Sequence, residues 1–328
     1  MSELKGIKEL PESLCELYNL RTLNLSLKKR PQGMGKLINL RHLINDGTDA
    51  FSYMPKGIER LVFLRTLSKL VVGGDGDNSQ VCSLDCLKKL DFLRGSLVIK
   101  GMGNVIDGAE AKKANLMNKK YLLDLQLYFS YDDDDDNDIS EGEASSSQCR
   151  LQIDEDEASA TEVCRKDESV VEALHAPPNL EKLVLRGYRG ITMSFEWMGS
   201  LTQLRELTLR DCINCEHLPP LGKLPLLERL QIIGMRGLKR VLPNHFLQVT
   251  SLERLNIDYC PVFKQWAKIY HHLPITSDSE TTRRNFGKAL EAIENVIDET
   301  RAQFAVRGIY EDLMAYGYID FTKEYGSH

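Results

Sequence analysis

One phrase recurs along this chain: LRTLNL from Leu20, LEKLVL from Leu180, LRELTL from Leu204, LERLQI from Leu227 and LERLNI from Leu252. The first leucines of the last four copies stand 24, 23 and 25 residues apart, a period that marks one repeating structural unit. Within each copy the second and third apolar residues are two apart, so on an extended strand they share one side while their neighbours share the other. A lone strand leaves those side chains in water. Lateral stacking of successive turns packs each ladder of leucines on the next, and stability accrues from nearest-neighbour interfaces.

Weaker copies fill the gaps. LRHLIN from Leu40 has Asn45 where the third leucine belongs, LRTLSK from Leu64 has Lys69 there, and LLDLQL from Leu122 fits again. Leu97 and Ile99 of GSLVIKG supply one more strand, giving nine in all. Between them, Pro11, Pro55, Pro219 and Pro243 each follow an apolar residue, fixing a turn that sends the chain back over the core. The expected fold is an α/β repeat: a leucine-rich-repeat solenoid with a parallel β-sheet on its concave face, followed by a helical C-terminal tail.

Charge divides the chain further. The net charge of −6 is not evenly spread: residues 132–168 hold 15 Asp and Glu against Arg150, Arg165 and Lys166. That stretch begins at Asp132–Asp136 and interrupts the array, since Leu122 and Leu180 lie 58 residues apart. Its self-repulsion and polarity predict a disordered acidic insertion. The domains expected are therefore repeats over 1–131, beginning in mid-repeat; the insertion over 132–168; repeats again over 169–266; and a linker and tail over 267–328. In that tail Phe286, Leu290, Ile293, Ile297 and Phe304 fall on one helical face.

No apolar run approaches the roughly 18 residues of a membrane span. The start, MSELKGIKELPESL, lacks the apolar core of a secretory leader, and the eight cysteines do not pair at the ends of the array. A reducing compartment is expected, cytoplasmic with the nucleus also open. Chemistry is missing: no phosphate loop, nucleophile elbow or HExxH occurs. Cys212, Cys215 and His217 do not have the ligand number or spacing of a zinc or haem site, so the thiols are expected as small buried hydrophobes. The acidic run does not have an EF-hand's spacing. No enzyme, cofactor or metal is expected.

IKELPESLCELYNLRTLNL, MPKGIERLVFLRTLSKLVVGG, LRGSLVIKGMGNV with EAKKANLMNKKYLLDLQLYFS, and DCINCEHLPPLGKLPLLERLQIIGM together resemble the leucine-rich-repeat region of plant intracellular nucleotide-binding disease-resistance proteins of the coiled-coil class. The likeness runs over residues 4–266, without the nucleotide-binding domain of that family. It implies a protein-binding recognition and regulatory module in plant defence and innate immunity, sensing pathogen effectors or guarded host proteins. The implied partners are an effector, a guarded protein or the nucleotide-binding switch, with no nucleic acid and no membrane span. The alternative is a generic cytosolic leucine-rich-repeat scaffold for signalling proteins.

Alternation around the buried leucines of the last four copies nominates the binding face. It directs Lys182, Glu206, Arg229 and Arg254 into one lateral row, and Arg186, Arg210, Ile233 and Asp258 into another. With Tyr188 and Tyr259 alongside, these are expected to form a cationic and aromatic patch of interface character.

Overall fold

In the computed structural model the described residues are 11–24, 32–45, 54–73, 82–130, 157–193, 195–239, 249, 251–260 and 262. The start at 1–10, the run Asp132–Asp136, Pro243 and the tail over 267–328 lie outside them.

Ten strands carry the array: β1 (Thr22–Asn24), β2 (His42–Ile44), β3 (Thr66–Leu67), β4 (Lys69–Val71), β5 (Arg94–Lys100), β6 (Tyr121–Tyr128), β7 (Lys182–Arg186), β8 (Glu206–Arg210), β9 (Arg229–Ile233) and β10 (Arg254–Asp258). They form a three-stranded sheet, β1-β2-β3, and a seven-stranded one running from β4 to β10 in chain order. All their pairings are parallel. β3 and β4 are one strand line interrupted at Ser68, so nine lines are present among the described residues, as the phrases predict. Ser68 itself bridges the two sheets: its N–H donates to Leu43 O at 3.3 Å and its carbonyl accepts from Val98 N at 3.0 Å.

Asn45, at a leucine position, explains how that junction holds. It is fully buried, its Nδ2 donates to Lys69 O at 2.8 Å, and its Oδ1 accepts from Lys69 N at 3.1 Å. The amide does for β4 what a backbone neighbour does elsewhere, and a leucine there would strand two backbone groups.

The ladders behave as the alternation requires. Leu125, Leu183, Leu207 and Leu230 stack in register and are fully or almost fully buried, as are Leu127, Leu185, Leu209 and Ile232 beside them. Short 3-10 turns such as Glu12–Glu16, Gln32–Lys36, Ile58–Arg60, Leu84–Leu87 and Glu196–Ser200 close the opposite side.

Leaving the last four strands, the chain turns on a left-handed residue: Gly187 (φ 69°), Asp211 (φ 55°), Gly234 (φ 68°) and Tyr259 (φ 50°). The residue after each, Tyr188, Cys212, Met235 and Cys260, is thereby driven inward and is fully buried.

Residues 157–168, expected to be disordered as the end of the acidic insertion, are instead helical. They open α2 (Glu157–Leu174), whose Val170, Val171 and Leu174 complete the core between β6 and β7. The acidity is locally offset: buried Asp167 accepts from Arg189 Nε at 2.8 Å and Nη2 at 2.9 Å, and Lys166 Nζ donates to Gly103 O at 2.6 Å. Glu168 accepts from the N–H groups of Ile191 and Thr192, and Trp197 Nε1 donates to Val171 O. α2 also packs on α1 (Gly108–Lys113), which is capped by Asp107 through Glu110 N. The contact demands Gly108, because a Cβ there would meet Ser169 O at 2.7 Å. Despite the 58 residues between their first leucines, β6 and β7 pair without a slip, from Asp124 opposite Lys182 to Tyr128 opposite Arg186.

Candidate functional site

The outward residues of the sheet form continuous lateral rows because the register is unbroken from β6 to β10. One row runs Asp124, Lys182, Glu206, Arg229, Arg254, and another runs Tyr128, Arg186, Arg210, Ile233, Asp258. All seven nominated residues are thus on the expected rows, and the rows differ in how their charges are held.

In the first row carboxylates and cations alternate from Asp124 to Arg229, and Arg254 adds a further cation. Glu206 accepts from Arg229 Nε at 2.7 Å and faces Lys182 Nζ at 3.8 Å. Ser96 Oγ adds a hydrogen bond to Asp124 at 3.1 Å. In the other row cations gather around an aromatic ring: Lys100 Nζ lies 5.4 Å and Arg186 Cζ 5.9 Å from the Tyr128 centroid. Asp211, displaced outward by its left-handed backbone, meets Arg186 at 3.7 Å and Arg210 at 3.5 Å.

Tyr188 is not part of this face. It occupies the inward position eight residues after Leu180, its ring packs edge-on against Phe129 and Phe195, and its hydroxyl donates to Thr192 O at 2.7 Å. Burial holds that hydroxyl protonated, its pKa pushed far up. The offset of eight, shared with Cys212 and Cys260, is the sequence signal that marks it as core. Tyr259 does stand exposed at the end of β10.

A second surface was not anticipated. The residue after the first leucine is arginine in four successive copies, Arg21, Arg41, Arg65 and Arg94, and their backbones are joined in order: Arg41 N to Arg21 O, Arg65 N to Arg41 O, Arg94 N to Arg65 O. Among the described residues no carboxylate lies within ion-pair distance of any of them. The same position later reads Glu181, Arg205, Glu228 and Glu253, where Arg205 pairs with Glu228. The turns before the early strands expose apolar side chains, Tyr18, Ile38, Phe63 and Phe92, and Tyr121 does so at the start of β6, each 47–63% exposed. The corresponding later turns carry Pro178 and Asn179, then Thr202 and Gln203, with no exposed aromatic. Repetition of Leu-Arg was the legible signal for this rim.

The thiols of Cys15, Cys82, Cys86, Cys164, Cys212, Cys215 and Cys260 are all buried and unbridged. Burial pushes Cys215 up to about 12 and Cys260 up to about 11, so neither is a ready thiolate. Lys119, also buried, donates to Leu87 O at 2.8 Å beside Asp91; its pKa is lowered by burial, which that carboxylate partly offsets. Among the described residues no group of His, Cys, Asp and Glu could hold a metal, and no helix is long and apolar enough to cross a membrane.

The family model described as R13L1/DRL21 LRRs matches residues 84–235. The chain is 31% identical to the disease-resistance RPP13-like protein 1 of Arabidopsis thaliana over 206 residues, covering 59% of this chain and 17% of that protein. It is 34% identical to the disease-resistance protein RGA1 of Solanum bulbocastanum over 180 residues, covering 54% and 15%. Among solved structures, a Leptospira interrogans LRR protein aligns at 20% identity with a TM-score of 0.42, covering 78% of this chain and 59% of that one. The chain spans less than one fifth of the length of the curated relatives it matches.

Proposed function

From its membership of the R13L1/DRL21 leucine-rich repeats of plant disease-resistance proteins, we propose that this chain is a protein-recognition and regulatory module of an intracellular immune receptor. Its binding face in this proposal is the outward sheet of β7 to β10, through Lys182, Arg186, Glu206, Arg210, Arg229, Arg254 and Asp258, and its partner is an effector, a guarded host protein or the receptor's nucleotide-binding switch. One observation carries this: the outward rows are in continuous register and chemically varied, while the buried core lies in the leucine ladders behind them. Substitution on the rows is therefore free to tune a partner without altering the fold.

Arg186 and Arg210 contribute the denser positive charge, which fits an acidic patch. The test is the double change Arg186→Glu and Arg210→Glu, with folding checked by melting. Binding is then measured to a separately expressed nucleotide-binding region of a related resistance protein and to candidate effectors. Loss of association with at least one of them supports the proposal; association of every partner at parental strength removes this face.

A further inference from the structure

The rim at the starts of the early strands goes beyond that reading, because it lies on different residues and in a different half of the array. We propose that Arg21, Arg41, Arg65 and Arg94, with the exposed Tyr18, Ile38, Phe63, Phe92 and Tyr121, form a docking surface for an acidic amphipathic helix of a partner protein.

Two properties point to a partner of that charge. Four arginines follow one another along laterally bonded backbone, with no carboxylate within ion-pair distance of them among the described residues. Neighbouring strands lie about 4.8 Å apart, a spacing at which like charges oppose folding. The same position further along reads Glu181, Arg205, Glu228 and Glu253, with Arg205 paired to Glu228, so an unbroken row of positive charge is found on the early half only. The apolar side chains alongside supply the second component of a binding rim, since aromatic residues and arginine are the types enriched where interfaces take their energy.

Spacing selects the partner's backbone. Three strand intervals place the outer arginines about 14 Å apart. A helix presenting one carboxylate per turn repeats every 5.4 Å and spans about 16 Å over the same three intervals, a difference of about 2 Å that flexible arginines absorb. An extended segment presenting every second residue spans about 20 Å and falls out of step. Residues three or four apart on a helix are neighbours, so an apolar stripe runs beside an acidic one, as the apolar turns run beside the arginines here. Tyr121 shows how the two stripes cooperate: Arg94 Cζ already lies 5.7 Å from its ring centroid, held in place by a cation–π contact.

The probe is a short, dye-labelled stapled helix with one Glu and one adjacent Leu per turn, compared with a helix of the same composition whose glutamates are spread around all faces. Binding to the whole chain is followed by fluorescence anisotropy at physiological salt. The proposal expects the striped helix to bind at least roughly tenfold more tightly than the spread one. It further expects the difference to vanish in the triple variant Arg21→Glu, Arg41→Glu and Arg65→Glu, and to shrink in the corresponding Gln variant and in Phe63→Ser with Phe92→Ser, each shown to melt as a folded protein. Arg186→Glu with Arg210→Glu should leave it unchanged, which separates this surface from the sheet face. Equal binding of the two helices would reduce the rim to unspecific attraction, and self-association of the chain lost in the arginine variants would make a second copy the occupant. Either result overturns the proposal.

Discussion

The two ends of this array repeat the same inward leucines and present different chemistry outward. In the early half the residue after the first leucine is arginine, following Leu20, Leu40, Leu64 and Leu93, and the preceding turn exposes an apolar side chain. From β7 to β10 the same position alternates towards glutamate, and Arg205 is matched by Glu228. The sheets differ as well: β7 to β10 pair over five residues each, while β1 to β3 pair over two or three and join the rest through Ser68 and Asn45. The leucine ladders constrain the inward positions, so the outward positions of the strands are free to differ between the halves.

The largest expected effect breaks the later half. Leu207 is fully buried between Leu183 and Leu230, and Leu207→Asp places a carboxylate where no neighbour can relieve it, at a cost of several kcal/mol. Loss of the cooperative melt is expected, whereas Leu23→Asp on the end strand β1 should only fray that end; equal damage from both would erase the distinction. Next comes the clamp on α2. Arg189→Ala leaves Asp167 charged and buried, a loss of about 3–5 kcal/mol in chemical denaturation. Asp167→Ala should cost less, because the Arg189 side chain is 29% exposed and can turn to water.

Asn45→Leu would restore the repeat phrase and still destabilise, by about 1–3 kcal/mol, because the Lys69 backbone loses both its partners. Hydrogen exchange should then quicken in β1 to β3 and not in β7 to β10. The smallest effect is Arg205→Ala, which removes an exposed pair with Glu228 worth about 0.2–1 kcal/mol.

Much of this was readable from the phrases. Two-residue alternation placed Lys182, Glu206, Arg229 and Arg254 on one row because a strand's geometry leaves no other choice. Tyr188 was misplaced because an aromatic just past a strand looks exposed until the left-handed turn at Gly187 is recognised as sending the next residue inward. The helical character of 157–168 was hidden by its charge: the partner that offsets Asp167 is Arg189, 22 residues away, and a composition count cannot supply that long-range pairing. The arginine rim was overlooked because one arginine after a leucine is an ordinary solvated residue; only the backbone bonds that align Arg21, Arg41, Arg65 and Arg94 make it a feature.

The central claim is that this rim exists for a partner and not for the fold. Its most direct measurement is the melting temperature, at low salt, of the chain with Arg21, Arg41, Arg65 and Arg94 all changed to Gln. Glutamine retains part of each aliphatic stem and removes four like charges set about 4.8 Å apart. The account predicts a melting temperature equal to or above that of the parent, with the gain shrinking as salt is raised. A lower melting temperature would show that the arginines hold the array together, and would contradict it.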